Sequence, residues 1–157
     1  MSTAPRSQAQ TTINAQVKAD SMNTSDRAAD IPHVPFADTL DISVAEVTAE
    51  QVTATMAWAE HLCTTGGILH GGALMAFADT VGALCAVANL PKGAGTATIE
   101  SKTNFFRAVR SGIATATCKP LHVGRSTIVV QTNLRDDRSK RVAQVTQTQA
   151  VLGKKEA

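Results

Sequence analysis

A chain of 157 residues, 43% of them apolar, is long enough for one domain around one buried core. Only 18% of residues are charged and 3% aromatic, and neither a basic helix, basic–aromatic interleaving nor zinc-finger spacing is present, which argues against a nucleic-acid partner. The net charge of +2 conceals a division: 3 basic and 9 acidic residues up to Pro91 (net −6), then 12 basic and 4 acidic from Lys92 (net +8), so the second half is the part suited to a polyanion.

Residues 1–30 are rich in Ser, Thr, Gln, Asn, Ala and Asp and poor in large apolar side chains. That composition predicts a disordered N-terminal tail, with one folded domain over 31–157. Pro32 and Pro35 mark a turn or short helix around Phe36. Thr39–Val47, with Leu40, Ile42 and Val44 alternating, reads as a strand. Gln51–Trp58 reads as a second, with Val52, Ala54, Met56 and Trp58 on one face. Glu60–Leu69 is a glycine-containing loop. After a long apolar stretch, four further strands are expected near Thr96–Phe106, Gly112–His122, Arg125–Leu134 and Arg141–Leu152, where Thr and Val abound and polar residues alternate. The order strand–strand–helix–four strands fits an α+β domain in which one antiparallel sheet curls round one helix.

The apolar stretch is His70–Leu90, HGGALMAFADTVGALCAVANL. It holds good helix formers, no proline until Pro91, and a single charge, Asp79. A membrane span is disfavoured by its Ala and Gly content and by Asp79 at mid-span, which would cost roughly 2.5–3.5 kcal/mol. A plain core helix, apolar on all sides, explains everything except Asp79 and the glycine pair. A lone acid in such a helix is costly unless it is paired or functional. The His-Gly-Gly start leaves backbone N–H groups uncovered at a positive helix end, which suits a developing oxyanion. His70 and Asp79 are nine residues apart, on opposite helix faces and about 13 Å apart along the axis. If both serve one site, the second comes from another copy of the chain.

Cys63, Cys85 and Cys118 are odd in number and lack CxxC spacing. With no secretory signal before them, they read as reduced thiols of a cytoplasmic protein. Cys63, near His61 and His70, is a candidate for a thiol nucleophile, although nothing in the sequence places these three residues on one surface. The four histidines show no HxxxH pairing, so no metal site is expected.

GGILHGGALMAFADTVGALCA, followed by TATIESKTNFFRAV and CKPLHVGRS, resembles the hotdog-fold acyl-CoA thioesterases of the PaaI type, from about Pro35 to Leu152. The most specific piece is G-x-x-H-G-G with an acid nine residues after the His. The resemblance implies a five- or six-stranded antiparallel sheet wrapped around a long central helix. It also implies homodimers or homotetramers with interfacial sites, and no cofactor beyond the coenzyme A of the substrate. By resemblance, Asp79 is the catalytic carboxylate, acting as general base or nucleophile. Gly71 matches the N–H that polarises the thioester carbonyl, His70 helps shape that site, and Thr98 lies close to a strand hydroxyl that positions water. Relatives usually carry Asn or Gln where this chain has Thr64. Glu100 and Phe105 on the following strand, and the turn His122, Val123, Gly124, Arg125 and Ser126, match positions that bind substrate or CoA. Lys119, Arg107 and Arg110 are further candidates for its phosphates. The function implied is hydrolysis of an aryl-acyl or short- to medium-chain acyl-CoA. The alternative is a non-catalytic acyl-CoA-binding or regulatory domain of the same fold. No stretch matches a hydratase, and no membrane partner is expected.

Overall fold

Two periodicities build the domain: a period of two in six strands and a helical run of small apolar residues between the second and third. The computed structural model describes residues 33–153; the tail expected over 1–30 lies outside them. A short helix α1 (Pro35–Thr39) precedes strands β1 (Ile42–Val47) and β2 (Val52–Ala57). A 3-10 turn at Glu60–Leu62 leads to helix α2 (Gly71–Val87). Then come β3 (Gly95–Phe105), β4 (Ile113–Val123), β5 (Thr127–Arg135) and β6 (Arg141–Leu152). The strands form one six-stranded sheet in the order β1-β2-β4-β5-β6-β3, antiparallel throughout.

The expected strand over Thr39–Val47 starts late, at Ile42. Pro35 occupies the first turn of α1, where its missing N–H costs nothing, and Asp41 takes a positive φ of 51° that breaks the chain before the strand. The helix stops at Val87 rather than Leu90 because the Asn89 side chain turns back and donates to Cys85 O and Ala49 O, both at 2.9 Å. The latter bond ties the helix end to the β1–β2 turn. Gly112 enters β4 with φ 77°, a conformation glycine adopts without strain.

One sheet face meets α2. Val52, Ala54 and Met56 of β2, Ala114, Ala116 and Cys118 of β4, and Ile128, Val130 and Leu134 of β5 are buried against it. From the helix, Leu74, Phe77, Ala78, Val81, Leu84 and Cys85 enter the same core. Phe77 is its largest side chain, and its burial contributes about 1.5–3 kcal/mol. Trp58, expected on the same face, falls just past β2 and is half-buried; its indole N–H donates to Gly67 O at 3.2 Å.

The three thiols differ sharply. Cys85 and Cys118 are fully buried where the helix meets β4, and the Cys118 thiol is pushed up, first by its hydrogen bond to Cys85 and then by burial. Cys63 is half-buried in the loop, its Sγ donating to Ala59 O at 3.2 Å. A thiol-alkylating reagent should therefore modify Cys63 alone in the folded protein, and the other two only in denaturant. Mass spectrometry of alkylated peptides checks this; labelling of Cys118 under native conditions would contradict it.

Candidate active site

Among the described residues the sheet covers one side of α2 and leaves the other open, unlike a plain core helix, apolar and enclosed on all sides. Gly72, Met75, Asp79 and Ala83 recur at intervals of three and four on the open side; the first two are exposed and the last two half-buried. Asp79 is thus set in an apolar stripe without being sealed from solvent.

Its carboxylate is held through one oxygen. Oδ1 accepts from Thr98 Oγ1 of β3 at 3.2 Å and from Gln147 Nε2 of β6. Thr98 Oγ1 in turn accepts from Gln147 Nε2 at 3.2 Å and from Gln149 Nε2 at 2.9 Å. Beyond these, the single Thr96 hydroxyl proton is shared between Gln149 Oε1 at 3.1 Å and Ala150 O at 2.8 Å. A hydroxyl has one proton and two lone pairs. With both lone pairs engaged by glutamine amides, the Thr98 proton is committed to Asp79. The Gln147 amide has its orientation forced, since the reverse would face Oε1 to a carboxylate. The Thr98 hydroxyl and the Gln147 amide both donate to Oδ1, while Oδ2 accepts no bond from the described residues.

Gln147 and Gln149 are fully buried, and the sequence reading missed both. The signal was faint. In Ala143, Val145, Gln147, Gln149 they share the parity of buried apolar residues, but Gln144, Thr146 and Thr148 make the opposite face just as polar. Gln147 Oε1 is buried with no hydrogen-bond partner among the described residues, an arrangement that costs about 1–3 kcal/mol.

At the other end of the helix, His70 is the N-cap: its Nδ1 accepts from the Gly72 N–H at 2.8 Å. That bond places any ring proton on Nε2. It also removes Gly72 from the pair of uncovered amides expected there, leaving Gly71 as the donor at the helix start. The Phe105 ring lies over Gly71, where an added Cβ would come 3.1 Å from Cζ. Thr64 stays in the preceding loop. Its Oγ1 accepts from Gly66 N–H at 3.3 Å and its own N–H donates to Ile68 O at 2.8 Å.

Within one chain the structure therefore brings Asp79 to Thr98, and His70–Gly71 to Phe105, as two separate groups. Glu100 joins neither: a bulge between Thr98 and Glu100 turns it to the outer sheet face, where it accepts from Thr148 Oγ1 at 3.5 Å. His122, Val123, Arg125 and Ser126 are exposed on the β4–β5 turn, which Gly124 tightens by donating to Thr127 O at 2.8 Å. Ser126 O accepts from Val151 N–H at 2.9 Å, so this turn sits at the Thr96 end of β3, the Asp79 side. Arg107, Arg110 and Lys119 are also exposed. Among the described residues no three His, Cys, Asp or Glu side chains gather as metal ligands, and no helix is long and apolar enough to cross a membrane.

Comparison with known proteins agrees with this architecture. A family model described as the thioesterase superfamily matches residues 66–143. A provisionally named esterase of Vibrio cholerae is 31% identical over 129 residues, 82% of this chain and 82% of its own length. The proofreading thioesterase of Cronobacter sakazakii is 31% identical over 87 residues, 55% of this chain and 64% of its own. Among solved structures, a thioesterase of Haemophilus influenzae aligns with a TM-score of 0.74 at 29% identity, covering 77% of this chain and 85% of that one.

Proposed function

The chain belongs to the hotdog-fold thioesterase superfamily and is a thioester hydrolase, and from that premise we propose that it cleaves acyl-CoA at a site shared by two copies of itself. The observation that carries the reading is Asp79: a carboxylate on the open side of an apolar helix, tied through one oxygen, with the other accepting no bond among the described residues. As general base it takes a proton from the water that attacks the thioester carbonyl carbon, or as nucleophile it attacks that carbon itself to form an anhydride that water then hydrolyses. In either case the C–S bond breaks, CoA leaves as the protonated thiol and the acyl group as the free acid. The Gly71 N–H, at the positive end of α2, stabilises the oxyanion.

A shared site answers the distance between the two groups. Gly71 and Asp79 are eight residues apart on α2, about 12 Å along the axis. β3 is one edge of the sheet, eleven residues long, with Ile99 62% and Phe105 50% exposed. An edge of that length and character invites a second strand. Antiparallel pairing of β3 with itself, about a two-fold axis near Ser101 and Lys102, sets Phe105 of one copy opposite Thr98 of the other. The Gly71 held beneath Phe105 then approaches the Asp79 held beside Thr98. The acyl group, aryl or short to medium aliphatic, lies along the open helix face. The CoA phosphates meet the basic β4–β5 turn, with Arg125 as their main partner.

The test is incubation of the purified protein with phenylacetyl-CoA, 4-hydroxybenzoyl-CoA and a series of straight-chain acyl-CoAs, read by thiol release. Turnover of at least one supports the reading; none across the panel defeats it and favours a binding domain. Arg125→Ala should raise KM for the best CoA thioester by up to roughly ten-fold with kcat little changed, since a remote phosphate contact binds ground and transition states alike. An equal loss with a short thioester lacking the nucleotide would show that Arg125 does not read the phosphates.

A further inference from the structure

We propose that Gln147 is a positioning residue for the Asp79 carboxylate, and that Gly82 exists in α2 to seat it. The inference deepens the reading of Asp79 above and rests on it. Three observations converge. The Gln147 amide donates both to Asp79 Oδ1 and to the hydroxyl that itself donates to Oδ1. Its own Oε1 is buried without a partner among the described residues. And it lies against Gly82, one turn beyond Asp79: a Cβ there would overlap Oε1 and come within 3.0 Å of Cδ.

Each of the last two features lowers stability. A buried carbonyl without a donor loses its hydration and gains no bond. A glycine in mid-helix is a poor helix former beside alanine. Alanine at 82 would suit the helix, and a methionine-like side chain at 147 would fill the same space without an orphaned oxygen. What the observed pair provides is an N–H donor aimed at Oδ1. With Oδ1 fixed by two donors, rotation about the carboxylate is arrested and Oδ2 is the oxygen left facing substrate. A reacting atom displaced by on the order of 1 Å can cost about 10²-fold in rate, so an amide that holds the carboxylate acts on kcat through Asp79 without touching substrate.

The experiment compares Gln147→Met and Gly82→Ala with wild type and Asp79→Asn, on whichever CoA thioester the wild type turns over. Gln147→Met keeps the volume and removes the donor. Gly82→Ala keeps Gln147 and displaces its amide. Both should lower kcat by about 10- to 10²-fold with KM unchanged, while the melting temperature of Gln147→Met is equal to or above that of wild type. In a Gln147→Ala background, where the methyl has room, Gly82→Ala should cause no further loss, the mark of two residues acting as a unit. The inference is overturned if Asp79→Asn is inactive but both single variants keep kcat within the roughly two-fold scatter of independent sites. It is equally overturned if kcat falls only in step with the folded fraction, the signature of a packing role. If Gln147→Met does not fold, Gly82→Ala decides. If Asp79→Asn retains turnover, or the wild type has none, the reading of the site falls first and the role of Gln147 falls with it.

Discussion

Asp79→Asn should fold like the wild type and turn over its CoA thioester about 10²–10⁴-fold more slowly, the scale on which a general acid–base group acts. The structure gives a reason for each half of that expectation. Asparagine can present its carbonyl oxygen where Oδ1 now lies, so Thr98 Oγ1 and Gln147 Nε2 keep their acceptor. The new NH₂ then occupies the place of Oδ2, on the open side of the helix, where no described residue donates. The substitution therefore leaves the helix–sheet contacts alone and changes only the oxygen that would take a proton from water or attack the carbonyl. Circular dichroism and thermal melting check the first half, kcat the second. A well-folded Asp79→Asn protein with near-full turnover would end the carboxylate hypothesis.

Mixing two inactive variants should restore activity to about a quarter of wild type if the sites are shared across a two-fold interface. The pair is Asp79→Asn, which removes the carboxylate, and Gly71→Pro, which removes the proposed carbonyl donor. Proline is accepted at the first helical position. His70, at φ −63° and ψ 137°, already has the extended conformation of a residue before proline, and the Phe105 ring above Gly71 is half-exposed and free to yield. In a mixed dimer one site carries both lesions and the other neither. Random exchange makes half of the dimers mixed, so one site in four is intact. Each variant alone stays inactive. Native mass spectrometry of differently tagged chains establishes that mixed dimers form. Mixed dimers without recovered turnover would mean that Asp79 and Gly71 do not meet across an interface in this way.

Much of this protein was legible in its sequence because two signals are local. The alternation in Arg141–Leu152 marks β6 to the residue, and the run of small apolar residues between two glycines and Pro91 marks α2. Asp79 stood out for the same reason: a lone carboxylate in a long, mostly apolar run needs no neighbours to be noticed. The spacing of His70 and Asp79 is also what raises the proposal of a site shared by two copies, since helical geometry is set by residue count alone.

The tertiary structure decided what depends on register between distant strands. That β3 leaves the helix and crosses to the far edge, next to β6, is set by which strands pair, and no local pattern encodes it. The pairing of Thr98 with Gln149, and of Ser101 with Gln147, turns two glutamines toward Asp79. In the sequence they are ordinary members of a strand polar on both faces, and a slip of one residue would put them on the outside. The same register separates residues close in sequence: the bulge after Thr98 sends Glu100 to the outer face. Chain-local physics determined the helix, the strands and the acid; long-range pairing determined which side chains surround that acid, because hydrogen bonds between strands fix a side chain's face only once the partner strand is chosen.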